Sequence, residues 1–305
     1  MAEPDLAGAA TRWYAQNARD LPWRAAGIGA WAILVSEVML QQTPVARVLP
    51  AWSGWVARWP TPAALAGDSP AEAIRAWGRL GYPRRALRLH ECARAIVARH
   101  GGRVPDTLHD LLALPGVGGY TARAVATFAY GQRQPVVDTN VRRLVARAVA
   151  GSPDAGPATT PADLAAVEAL LPARPAAAAR ASVAFMELGA VVCTARSPRC
   201  STCPLADECA WRRAGWPPAH GPTRPIQRYA GTDRQVRGLL LAALCEAPAP
   251  VSRAHLDLVW PEQAQRERAL AGLLLDGLVV TVDGRRDRFT LVGDAAPDGQ
   301  RPPGH

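Results

Sequence analysis

Two carboxyl groups and a cluster of thiols are the residues whose type and setting could do chemistry. Glu37 is the one charge in WAILVSEVMLQQT, an apolar run at helical spacing. Desolvation on such a helix raises a carboxyl pKa and keeps a proton available. Asp138 follows Pro135-Val136-Val137 and precedes VRRLVARAVA, so it stands at the entry to a helix. The first amides of that helix favour its ionised form. Two carboxyls in such contrasting environments suit a reaction that needs an acid to protonate a leaving group and a negative charge beside a developing cation. Each residue also has a plainer reading, a satisfied core glutamate for Glu37 and a helix N-cap for Asp138.

The thiols are Cys193, Cys200, Cys203 and Cys209, spaced C-x6-C-x2-C-x5-C. Thiolates this close repel unless a cation holds them, so a metal is the physical expectation. One short pair spread into a loop suits a [4Fe–4S] cube, one thiolate to each iron; zinc, which favours two short pairs, is the alternative. Arg196, Arg199, Arg212 and Arg213 lie within or beside the loop, so a cluster that stiffens it also makes a phosphate-binding element. Cys92 and Cys245 stand apart and read as buried small apolar residues.

Helices must position these groups. Leu111 to Asp138 reads as helix, tight hairpin, helix: Pro115, Gly116, Gly118 and Gly119 interrupt a periodicity that resumes at Tyr120. Glycines let a phosphate approach the amides at the start of the second helix, where the dipole favours negative charge. Helical segments are predicted at 30–43, 44–58, 70–78, 84–100, 141–150 and 161–192, with Thr43 capping the second over Pro44. No alternating pattern precedes residue 230, so residues 1–215 read as all-helical. Residues 215–230 are proline-rich and read as a linker. Beyond them, helices near 234–246, 252–259 and 264–276 lead into two short strands around Asp283-Gly284, a winged-helix-like module. The tail after Gly293 reads as disordered.

The net charge is +9, and all 35 basic residues are arginine. Without lysine, no side-chain amine can form a Schiff base. Residues 231–305 carry a net −1 and residues 1–230 a net +10, so a polyanion would bind the first part. No apolar run is long enough to span a bilayer and no signal peptide is visible, which predicts a soluble, intracellular protein without a membrane partner.

Taken together, LPGVGGYTA, an aspartate eighteen residues after Tyr120 and the cysteine spacing resemble the helix-hairpin-helix DNA glycosylases with an iron–sulfur cluster. VSEVMLQQT at 35–43, LPWR at 21–24, LGYPRRA at 80–86 and MELGAVVC at 186–193 resemble the MutY-type adenine glycosylases of that superfamily. The resemblance covers about residues 5–215. It implies an all-α two-lobed core with a [4Fe–4S] loop: residues 1–29 and 136–215 as the cluster lobe, 30–135 as a six-helix lobe with the hairpin. A linker (216–230), a small α+β winged-helix-like domain (231–295) and a tail (296–305) complete the organisation. The implied activity is base excision repair, removing adenine mispaired with 8-oxoguanine or G in double-stranded DNA, by a monomer. Glu37 would protonate adenine and help activate water. Asp138 would stabilise the cation or bond to it transiently, Asn140 would orient Asp138, and Tyr120 would line the sugar pocket. Related lyases carry a lysine at the Tyr120 position, so weak or absent strand cleavage follows. Arg19, Trp23, Arg24 and Glu187 match positions lining the adenine pocket. Gln41, Gln42 and Tyr82 match the wedge beside the opposite base, filling the stack when the target flips out, and Leu40 is expected among the DNA- or base-binding residues. Amides of Leu114, Gly116 and Gly118 would hold a phosphate. With Glu37 far upstream of Asp138, the pocket is expected where the two lobes meet.

The sequence departs from the family in two places. No Phe-Ser-His loop of a Nudix-like domain, which reads 8-oxoguanine in many members, is present, and Thr139 follows Asp138 where glycine is common. Two other readings compete: a G:T or G:U mismatch glycosylase on the same scaffold, and a non-enzymatic iron–sulfur DNA-binding regulator.

Overall fold

The computed structural model describes residues 5–156, 158–218, 229–282, 284 and 287–294. Up to residue 218 the described chain is helical, and each boundary has a local cause. Helix α1 (Leu6–Asn17) starts where Asp5 accepts from the Gly8 amide. A 3-10 turn at Pro22–Arg24 leads to α2 (Ala30–Leu40), apolar all round and buried along most of its length. Next come α3 (Val45–Arg58), α4 (Pro62–Ala66), α5 (Pro70–Trp77) and α6 (Arg84–His100). Thr61 and Ser69 cap α4 and α5, each with proline as the first helical residue, and Gly101 ends α6 in the left-handed region. The hairpin helices are α7 (Leu108–Leu112) and α8 (Gly119–Phe128). Then follow α9 (Thr139–Ala148), α10 (Pro161–Leu170), α11 (Pro175–Val191) and α12 (Ala210–Arg213).

Three expectations are corrected. The segment 161–192 is two helices, because Pro172 and Pro175 break it after Leu171. Thr43 does not cap α3: Pro44 holds that position without a side-chain bond, while the Thr43 hydroxyl donates to Leu80 O and accepts from Arg85. The C-terminal module gains a strand. After α13 (Asp233–Glu246) come β1 (Val251–Ser252), α14 (Arg253–Asp257), α15 (Gln263–Leu275), β2 (Val279–Thr281) and β3 (Arg288–Leu291). The strands form an antiparallel sheet in the order β1-β3-β2, with Val251 opposite Phe289 and Val279 opposite Leu291. The region is thus a small α+β one, three helices with a three-stranded sheet among the described residues. Asp283 of the expected turn, most of the expected linker and the expected tail lie outside the described residues.

The chain forms two compact units, cut differently from the expected lobes. The first holds residues 1–37, 105–113 and 117–223; the second holds 38–104, 114–116 and 224–305. The core of the first joins α1, α9 and α11 through Leu6, Ala10, Val141, Leu144, Phe185 and Leu188. Gly189 makes that packing possible, since a Cβ there would lie 2.6 Å from the Asn140 carbonyl oxygen. The core of the second includes Trp55, edge-on to Trp59 and Trp77 at 4.6 and 5.6 Å. Its C-terminal module is tied to α5 by Arg75, which bonds both Asp294 carboxylate oxygens (2.9 and 2.8 Å) and the Cys245 carbonyl (3.2 Å).

Replacing Gly189 by alanine is expected to force α9 from α11 and destabilise the protein by about 1–3 kcal/mol. Chemical denaturation measures it; an unchanged midpoint would mean that the contact relaxes freely.

Candidate active site

Glu37 is buried in α2, as the surrounding apolar residues dictate. Burial raises its pKa to about 7, and the nearby Asp138 charge adds to the rise; a hydrogen bond with Tyr120 and the charge of Arg24 pull the other way. Tyr120, in the first turn of α8, is half-buried beside both carboxyls and held as the neutral phenol well above its ordinary pKa by desolvation and by their charges. Glu37, Tyr120 and Asp138, expected where two lobes meet, all belong to the first unit.

Asp138 is the N-cap of α9: its Oδ1 accepts from the Val141 amide at 2.7 Å. The capping role and the proposed chemistry coexist, because Oδ2 faces another way and accepts from Asn140 Nδ2 at 2.8 Å. Asn140 is fixed in turn, since its Oδ1 accepts from Arg143 Nη2 at 2.8 Å. Arg143 also donates to the Gly189 carbonyl (2.8 Å) and the Cys193 carbonyl (2.7 Å). One chain of bonds thus runs from Asp138 to the first cysteine of the thiol loop.

Glu187 on α11 has the opposite environment to Glu37. Burial alone would raise its pKa, but Arg19 and Arg24 hold it down to about 2. Arg19 grips it with Nε at 2.7 Å, Nη2 at 2.8 Å and its own amide at 3.0 Å; Arg24 Nη2 adds a bond of 2.9 Å. The Arg24 Nη1 is buried and, among the described residues, has no hydrogen-bond partner. Trp23 beside it is buried.

The remaining expected residues fall into separate groups. Gly116 in the hairpin has φ +75°, and a Cβ there would meet Arg88, so glycine is required. Leu114 is buried, and Gly118 is the N-cap of α8, whose first backbone bond runs from Ala122 back to Gly118. Gln41 gives its carbonyl to Arg85, Leu40 is half-buried, and Gln42 and Tyr82 both hold positive φ, 55° and 50°. The Arg85 guanidinium lies 5.5 Å from the Tyr82 ring.

A family model described as HhH-GPD superfamily base excision DNA repair protein matches residues 35–168, and one described as the iron-sulfur binding domain of endonuclease III matches residues 193–209. The adenine DNA glycosylase of Mycobacterium tuberculosis is 62% identical over 92% of this chain and 92% of its own length. That of Mycolicibacterium smegmatis is 60% identical over 92% of this chain and 94% of its own. The chain belongs to the adenine DNA glycosylases. The fold is also that of a solved thermostable thymine-DNA glycosylase, with TM-score 0.61 and 25% identity over 68% of this chain and 95% of that one.

In this adenine glycosylase the iron–sulfur match falls on the four cysteines, which settles the metal in favour of an iron–sulfur cluster over zinc. The residues fit such a group. Cys193, Cys200, Cys203 and Cys209 line one concavity, whose other walls include Leu144, Ala148, Val192 and Leu205. Burial pushes the Cys203 thiol up to about 11, so a thiolate there needs a cation. Arg147 donates to Cys193 Sγ at 3.6 Å and to the carbonyls of Thr194 and Ala195, and stacks on Trp211 at 4.5 Å. It offers the donors and positive charge that an anionic sulfur cluster needs around it.

Sequence reasoning missed Arg85, Arg143 and Arg147. The last two are buried on α9 among Val141, Leu144 and Val145. Their signal was visible as arginine in the phase of the core, which is costly unless each guanidinium is paired.

The Glu37 environment has a stability consequence. A carboxyl raised in the fold from 4.5 to about 7 contributes nothing adverse below pH 4.5, where it is neutral folded or unfolded. Between those values stability falls, and above pH 7 the buried charge costs about 3 kcal/mol. Glu37→Gln is therefore expected to raise the unfolding midpoint at pH 8.5 and leave it nearly unchanged at pH 4. Melting at the two pH values measures this; equal shifts at both would contradict it.

Proposed function

We propose that this chain hydrolyses the N-glycosidic bond of adenine mispaired with 8-oxoguanine or G in duplex DNA, as a monomer with weak or no lyase activity. The observation that carries the reading is Glu37: a carboxyl raised to about 7 by burial, hydrogen-bonded to Tyr120 and near Asp138. At neutral pH a substantial fraction holds its proton, and it can still give that proton up.

Adenine is flipped from the stack and Glu37 protonates a ring nitrogen, so the base leaves neutral while positive charge develops on the sugar. Asp138, oriented by Asn140 and the Val141 amide, faces that charge. The Glu37 carboxylate then takes a proton from the water that adds to the sugar. Atoms balance: water supplies hydroxide to the sugar and a proton to restore Glu37. The unpartnered Arg24 Nη1, fixed by Glu187, supports a contact to adenine. Tyr120 stands where a lyase would need an amine, and its neutral phenol cannot form a Schiff base. The hairpin amides would hold a phosphate and set register. The iron–sulfur cluster, bound by the four cysteines, supplies structural rigidity and fixed charge. The Cys193–Arg143–Asn140 chain carries that rigidity to Asp138. Among the described residues no helix is long and apolar enough to cross a membrane.

The likeness to a thymine-DNA glycosylase structure makes the substrate the first test. Incubation with duplexes holding A opposite 8-oxoguanine, A opposite G, and T opposite G is expected to release adenine from the first two. Release of thymine or uracil alone would sink the reading. Asp138→Asn should lower single-turnover release by at least about a hundredfold while duplex binding survives. The single-turnover rate should fall about tenfold per unit above pH 7, as the Glu37 proton is lost. A flat profile to pH 9 would remove Glu37 from the acid role.

A further inference from the structure

The second unit places around Tyr82 an arginine, Arg234, to which the proposed function gives no role. Tyr82 is 50% exposed, and its left-handed backbone is one that a tyrosine keeps only where its surroundings fix it. Those surroundings are guanidiniums. Arg85 lies 5.5 Å from the ring centroid and Arg234, from the C-terminal module, 6.0 Å. Arg85 is committed inward. Its Nη1 donates to the carbonyls of Val38, Met39 and Gln41, and its Nη2 to Thr43 and the Gly81 carbonyl. Arg234 is exposed and, among the described residues, has no carboxylate within ion-pair distance. Other arginines of the module do: Arg237 shares Asp276 with Arg84, Arg253 meets Glu267, Arg266 meets Asp257 and Arg268 meets Asp233.

The fold holds Arg234 in place. Helix α13 is anchored on α5 through Arg75, which grips Asp294 and the Cys245 carbonyl, and Asp276 bridges Arg84 of α6 to Arg237 of α13. Arg47, bonded to the Arg79 carbonyl and near enough to Arg85 for its charge to add to the burial that lowers the Arg85 pKa, extends the positive edge. An exposed aromatic ring among guanidiniums is a platform for a nucleic-acid strand. The module's net −1 confines the attraction to this edge.

The geometry points to Arg234 as the C-terminal module's contact with DNA, holding a backbone phosphate of the strand that faces the excised adenine. This rests on the reading of Tyr82 as the wedge beside the opposite base. A phosphate fits better than a base edge. An arginine fork suits the two acceptors O6 and N7 of guanine, but N7 of 8-oxoguanine carries a hydrogen and cannot accept.

The test is equilibrium binding of the full-length chain, with its cluster, to two duplexes carrying 2′-fluoro-deoxyadenosine, one opposite 8-oxoguanine and one opposite G. The fluorine destabilises the oxocarbenium ion and keeps the substrate whole. Over a salt series from about 0.05 to 0.3 M, Arg234→Glu should weaken binding about tenfold at the low end and lower the salt slope by about 1. Arg234→Lys should keep most of both. If Arg234→Glu does not fold, Arg234→Ala carries the same slope test. An unchanged slope and affinity overturns the proposal. So does a loss confined to either 8-oxoguanine or G opposite the adenine, which would make Arg234 a reader of the base. If the wild type releases no adenine from unmodified duplexes with A opposite 8-oxoguanine or G, the functional reading fails by itself, and the slope still judges Arg234 as a DNA contact.

Discussion

Taking a carboxyl out of water raises the free energy of its charged form, and the first unit depends on how that penalty is distributed. It is left uncompensated at Glu37, where burial outweighs the Tyr120 hydrogen bond and the Arg24 charge. It is overcompensated at Glu187, equally buried, where two arginines deliver four hydrogen bonds. The first carboxyl can hold a proton at neutral pH and the second cannot. Arg24 reaches both: it bonds Glu187 directly and pulls modestly on Glu37. An arginine committed more fully to Glu37 would have stabilised its anion and removed the acid.

Asp138 needs orientation where Glu37 needs burial. Its two oxygens are separately engaged, by the Val141 amide and by Asn140. The Arg143 guanidinium then spreads over Asn140, Gly189 and Cys193. The loop that holds the cysteines is thereby tied to the backbone that aims the aspartate. Gly189 belongs to the same device, because any larger residue would push into Asn140.

Much of this was legible in the sequence, for identifiable reasons. Apolar periodicity and proline placement located most helices, since Pro62, Pro70, Pro161 and Pro175 each stand at the start of one. Glu37 was legible as a lone charge in an apolar helix, and the cysteine spacing marked the cluster. Spacing could not reveal what only tertiary packing decides. Thr43 has the sequence of a cap, yet Arg85 and Leu80 claim its hydroxyl. The two-residue strand β1 has no periodicity to read and exists because β3 offers it an edge. Arg143 meets Gly189 and Cys193, and Arg234 meets Tyr82, dozens of residues or more away in the chain, so neither carries a local signal of those partners.

The central claim is the elevated Glu37 carboxyl, and it can be observed directly. Carbon-13 labelling of glutamate side-chain carboxyls, with Glu37→Gln to assign the resonance, gives its titration in the folded protein. The structure predicts a midpoint near pH 7. A midpoint in the ordinary glutamate range, about 4 to 5, would contradict it.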